Sequence, residues 1–136
     1  MARAGALLLV CAFAIGACGG PSDEDAVRKT LAGYAKAFAE HDYQALCDTY
    51  FDPDLVTGLE ANGLPCEAAL RPTVAGLKHP TLTVRSVKVD GDFATAAVHT
   101  DADNEEPADV VLALVRADGR WRISSTTTTG PKPAGP

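Results

Sequence analysis

A chain of 136 residues with 46% hydrophobic and 22% charged side chains suits one modest globular domain, far from a disordered composition. Its formal charge of -6 repels phosphate backbones, and no basic stripe offsets that repulsion. Nucleic acid is therefore not an expected partner.

The chain opens with Arg3 followed by an apolar run over residues 4–17 that contains Leu7-Leu8-Leu9-Val10. Such a run is too short to span a bilayer, which takes about 20 residues. A basic start, a short apolar centre and small residues at its end predict an export leader over residues 1–17. A buried first helix is the rival reading, but nothing polar breaks the run to give it a solvent face. At its end, Ile15-Gly16-Ala17-Cys18 resembles the lipobox of bacterial lipoprotein precursors. The resemblance implies cleavage before Cys18, a diacylglycerol on its sulfur, and anchoring to the outer face of the cytoplasmic membrane. Two acyl chains hold a protein firmly where one holds weakly. Gly19-Gly20-Pro21-Ser22 then reads as a flexible tether, within a lipidated segment spanning residues 18–24.

Ser22 before Asp23-Glu24-Asp25 predicts a helix start, with a capping hydroxyl and acidic residues at the positive helix end. Val27, Leu31, Tyr34 and Phe38 form one apolar stripe, so the helix should run to about Glu40. Asp42 is expected to cap a short second helix carrying Tyr43, Leu46, Cys47 and Tyr50, ended at Phe51-Asp52-Pro53. Pro65 opens a third helical stretch through Cys66, Ala69 and Leu70, which Pro72 should stop or kink. With Cys11 in the leader and Cys18 lipidated, Cys47 and Cys66 remain as an even pair in an oxidising compartment. A disulfide between them is expected, contributing about 3 kcal/mol. Metal ligation or a reactive thiol would need a nearby His or Cys pair or a base, and no short motif supplies one.

From Thr81 the texture changes to strands. Leu82 and Val84, then Val87 and Val89, alternate with polar residues, and the parity slip near Arg85-Ser86 predicts a bulge. Asp90-Gly91 signals a tight turn into a strand over residues 93–100. Residues 101–107 read as a polar loop and residues 110–115 as the third strand. Asp118-Gly119 turns into a fourth strand with Trp121, Ile123 and Ser125 on one side. Helices first and a four-strand antiparallel meander after predict an α+β domain with the helices on one sheet face. The Pro/Gly tail over residues 129–136 has no core residues and is expected to be disordered.

Across residues 25–128 the chain resembles the nuclear transport factor 2-like superfamily, which includes polyketide cyclase-like and ketosteroid isomerase-like members. The resemblance rests on the helix stripe with Tyr34 and Phe38, on His41-Asp42-Tyr43 and on Val89-Asp90-Gly91-Asp92-Phe93-Ala94. It closes on Leu114-Val115-Arg116-Ala117-Asp118-Gly119-Arg120-Trp121-Arg122-Ile123. It implies a cone in which a curved sheet wraps a long helix and leaves a pocket at the open end. No short strand pair is visible between the second helix and Pro65, where the chain departs from the pattern.

Fold alone does not settle function. Enzymes of this superfamily use a carboxylate base with hydroxyl or acid donors in an apolar pocket. Here Asp90, Asp92, Asp101, Asp103, Asp109 and Asp118 fall in turns or at strand ends, so no catalytic residue is nominated. The candidate pocket set is Tyr34, Phe38, Tyr50, His99 and Trp121, although His99 has the parity of Thr95 and Ala97 rather than of the core face. Phosphate loops, nucleophile elbows and metal-spaced clusters do not appear, and no cofactor is expected. The leading expectation is a non-catalytic anchored domain binding a small apolar molecule or a protein, with a homodimer through the outer sheet face as a further option. The alternative is a small isomerase, dehydratase or cyclase whose Tyr34 meets Asp48 or His99 in one cavity.

Overall fold

The computed structural model describes residues 20–128; the leader, Cys18 and the tail fall outside them. Ser22 caps helix α1 (Asp23–Ala39) reciprocally: its hydroxyl accepts from the Asp25 amide, and its own amide donates to the Asp25 carboxylate. Val27, Leu31, Tyr34 and Ala37 form the buried stripe. His41, at a φ of 56°, turns the chain out of the helix. Helix α2 (Tyr43–Ala45), capped by Asp42, passes directly into a π-helical turn over Leu46–Tyr50. The expected second helix is therefore wider-wound in its second half than a regular one.

Phe51 is extended and forms a parallel bridge with Ile123, and Asp52 after it is extended because it precedes Pro53. Pro53 then begins an unforeseen helix, α3 (Pro53–Glu60). The reason is local: Asp52 accepts from the Asp54 amide, and proline lacks only an amide that the first helical position leaves unpaired anyway. Next comes helix α4 (Cys66–Val74). Pro72 does not stop it, because only one backbone bond is forfeited and the Ala75 amide still reaches the Arg71 carbonyl at 3.0 Å. Cys47 and Cys66 form a disulfide, with Cα atoms 6.1 Å apart, that fastens the π turn to α4.

Strands β1 (Thr81–Asp90), β2 (Phe93–Ala102), β3 (Glu105–Ala117) and β4 (Arg120–Thr128) make one antiparallel sheet in the order β1-β2-β3-β4. The bulge falls between Val84 and Ser86, where expected. Gly91 at the first turn, and Asp118 with Gly119 at the last, adopt the positive φ such turns need. The stretch expected as a polar loop is instead strand on both sides of Asp103-Asn104. Backbone pairing tolerates the outward polar side chains, and Pro107 sits by the register shift between Thr100 and Ala102, where a ladder amide is not required. A further shift pairs Ala113 with Ser125 but Leu114 with Ile123, so Ser125 is exposed while Trp121 and Ile123 are buried.

These bulges bend the strands. The curved sheet places Ala94, Ala96, Val98, Leu112, Leu114, Trp121 and Ile123 against the α1 stripe, Leu46 and Phe51. Arg116 clasps the closed end: it donates to Asp23 of α1, Asp92 and the Gly91 carbonyl, and stacks over the Trp121 ring. The architecture is an α+β cone with helices on one face of a curved sheet.

Candidate ligand-binding site

At the end of the cone opposite Arg116, the sheet and helices part around a cavity of about 460 Å³. Its inner wall is Tyr34, Ala35 and Phe38, from the last turns of α1, with Thr73 of α4 and Leu77 beyond it. The sheet side is Pro80 to Leu82, Thr100 to Ala102, Ala108 and Val110, with Glu105 and Glu106 at the rim. The volume lies within the range of small-molecule sites, and the lining sets apolar side chains such as Phe38, Leu77, Leu82 and Val110 beside three threonines and three carboxylates. Asn104 braces the rim, accepting from the Lys78 amide and donating to the Gly76 carbonyl, both at 2.8 Å.

Tyr34 is the polar feature of the interior. Only 9% of the residue is exposed, and its ring packs near Phe38, Tyr50 and Phe51. Burial pushes its phenol up to about 12, so it stays a neutral donor at any physiological pH. The hydroxyl is bonded to no described side chain or backbone group. Among the described residues no unpartnered side-chain atom is sealed from solvent, so this hydroxyl keeps some accessible surface, and its residue lines the cavity.

Of the pocket residues expected from sequence, Tyr34 and Phe38 line this cavity and three do not. Tyr50 lies behind Tyr34, against Gly33, because the π turn points it at the helix flank. Trp121 is buried in the core at the Arg116 end. His99 is on the outer sheet face, where alternation from buried Val98 puts it, with Nδ1 2.8 Å from Asp109 Oδ1. Asp48 is exposed beside a shallow depression shared with Asp42 and Gln44. Tyr34 therefore meets neither Asp48 nor His99. Among the described residues no cluster of three His, Cys, Asp or Glu could hold a metal ion, and no helix is long and apolar enough to cross a membrane.

A family model described as "Putative lumazine-binding" matches residues 22–127. The chain belongs to this family. No curated protein matches it. Solved structures give the same fold: an NTF-2 like protein from Silicibacter pomeroyi superposes with TM-score 0.53 at 20% identity, covering 74% of this chain and 89% of that one. Aln2 from a Streptomyces species gives 0.54 at 21% identity, covering 79% and 91%, and TsrD from Streptomyces laurentii gives 0.53 at 14%, covering 79% and 91%. The expected nuclear transport factor 2-like fold is thus the fold of this lumazine-binding-like chain.

Within this family frame, the residues missed from sequence are Ala35, Thr73, Leu77, Pro80, Thr81, Leu82, Thr100, Asp101, Ala102, Glu105, Glu106, Ala108 and Val110. Most are small or polar residues at strand ends, where neither hydrophobicity nor a motif marks them. The one available signal is the break in the β3 pattern before Val110.

Proposed function

We propose that this chain is a lipid-anchored, extracytoplasmic domain that binds a small, largely apolar molecule in the open end of its cone without transforming it. One observation carries the binding: Tyr34, nine-tenths buried as a residue and with its hydroxyl unpartnered among the described residues, lines a preformed cavity of about 460 Å³. A donor hydroxyl without a protein partner in a mostly buried residue has a ligand acceptor as its natural complement. A flat heteroaromatic ring bearing carbonyl acceptors, the kind of molecule the family description names, would offer that acceptor and stack beside Phe38. The exposed rim carboxylates Asp101, Glu105 and Glu106 are solvated, which argues against a buried base.

Anchoring is supported by the apolar leader and by Cys18, four residues before the capping Ser22. Helix α1 then rises about 22 Å from Asp23 to Phe38. A tether at the start of α1 would hold the closed end toward the bilayer and leave the cavity facing the aqueous side.

The test uses residues 19–136 as a soluble protein, with lumazine as probe in native mass spectrometry and fluorescence titration. A one-to-one adduct weakened by Tyr34→Phe is expected; conversion of the probe, or no adduct for it or for any co-purified molecule, would overturn the binding reading. Separately, the full chain expressed in bacteria should partition into detergent and the Cys18→Ala form should not. Equal partitioning of the two removes the anchor.

A further inference from the structure

The charge around the cavity is one-sided. Asp101, Glu105 and Glu106 all line it, and no lining residue carries a positive charge. The basic positions next to lining residues in sequence, Lys36, Lys78 and His79, do not line the cavity; Lys36 Nζ lies 3.5 Å from Glu40 Oε1, and His79 Nδ1 lies 2.7 Å from Asp103 Oδ2. The rim is held in place by the fold: Ala102 pairs with Glu105 across the turn, and Asn104 ties that turn to the loop after α4. The carboxylates thus stand by that turn at the cavity rim, while Tyr34 lines the cavity from the helix wall.

We infer that the cavity selects an amphiphilic cation: an apolar, ring-bearing body with a hydrogen-bond acceptor for Tyr34 and an ammonium or similar positive group held at the acidic rim. This deepens the ligand-binding function proposed here and rests on it. Carboxylates of one sign at a partly apolar mouth focus their field, attract cations and exclude anions. Exposed charges act weakly one at a time and are screened by salt. Three together, acting on a ligand charge that the cavity wall partly desolvates, give a preference of at least tenfold for a cation over its anionic counterpart. Tyr34 supplies a donor that a cation cannot use directly, so the two ends recognise different groups of one molecule.

Three rigid fluorescent probes of nearly equal shape separate charge from fit: 9-anthracenemethylamine, 9-anthracenemethanol and 9-anthracenecarboxylate, titrated into residues 19–136 at low salt. The amine should bind at least tenfold tighter than the carboxylate, with the alcohol between them. Asp101→Asn/Glu105→Gln/Glu106→Gln, at exposed positions that leave the core untouched, should bring the three within about threefold, as should 1 M salt. Equal binding of all three, or tightest binding of the carboxylate, overturns the charge inference and leaves the cavity's binding function standing. Failure of every probe to bind overturns the charge inference, and failure of lumazine as well overturns the binding function. A preference for the amine that survives the triple substitution assigns it elsewhere and also overturns the inference.

Discussion

Removing the Tyr34 hydroxyl should stabilise the empty protein while weakening its ligand. In most folds a buried tyrosine hydroxyl is satisfied, and its deletion costs about 1 kcal/mol. Here it has no bonding partner among the described residues, so Tyr34→Phe removes an unpaired polar group. Because the group is not sealed from solvent, the full penalty for isolation is discounted, and a gain of up to about 1 kcal/mol is expected. Ligand affinity should fall about tenfold, the equivalent of about 1.4 kcal/mol. The two effects have opposite signs, which no general loss of structure can imitate. The same residue predicts an alkaline signature. Burial lifts the phenol from 10.0 to about 12. Above pH 10 the unfolded chain has released this proton while the fold still holds it, so the unfolded state binds fewer protons and stability falls. The contribution is complete below pH 10 and is lost as pH rises through 12; the gap corresponds to about 3 kcal/mol. Tyr34→Phe should lack this loss, while Tyr43 and Tyr50 cancel in the comparison. Urea unfolding followed by the single tryptophan, buried Trp121, reads both effects. A variant destabilised by more than about 1 kcal/mol at neutral pH, or one whose alkaline decline matches the wild type, would refute the reasoning.

Cys47→Ala/Cys66→Ala opens a loop with sequence separation 19 and should cost about 3 kcal/mol, lowering the melting temperature by roughly 12 °C in calorimetry. A cost under about 1 kcal/mol would mean the helices hold α4 without the bridge. At Gly33 an added Cβ would lie 2.3 Å from the Tyr50 hydroxyl oxygen and 2.9 Å from its ring carbon Cζ. Gly33→Ala should therefore destabilise by about 1–2 kcal/mol despite better helix propensity, yet stabilise by up to about 1 kcal/mol in a Tyr50→Ala background. Urea midpoints of the four proteins test that reversal of sign. Ala108→Leu should fill part of the cavity, lower probe affinity at least tenfold in the same titration, and shift stability by less than about 1.5 kcal/mol.

The elements most legible in the sequence are those whose signals are local and redundant. Ser22 with Asp25 and the Val27, Leu31, Tyr34 stripe specify α1 several times over, and Asp90-Gly91 and Asp118-Gly119 mark their turns by backbone conformation alone. Helix α3 carries its own start signal in Asp52-Pro53-Asp54, but a proline there reads equally as the end of the helix before it, and the two roles share one residue. The rim is hard to read for a different reason. Residues 101–107 are polar, and polar strands look like loops unless their partner strand is known. What makes Glu105 and Glu106 strand residues is β2 lying beside them, a long-range fact. His99 and Trp121 attract attention as chemically distinctive side chains, yet the fold puts one on the outer face of the sheet and the other in the core.

The cavity arises from a division along α1 that is visible once the sheet is in place. Val27 and Leu31, both fully buried, spend the first half of the stripe on the core beside Leu112, Leu114 and Ile123. The second half meets a sheet end built from Ala102, Ala108 and Val110, too small to reach the helix, so Tyr34 and Phe38 are left with space before them. Larger residues at those alanines would have closed the cone as a packed core and given the Tyr34 hydroxyl no role. Close packing is the rule in protein interiors and voids are destabilising. An aromatic stripe facing small residues, with a polar atom held unpaired between them, is therefore better explained by an occupant than by packing.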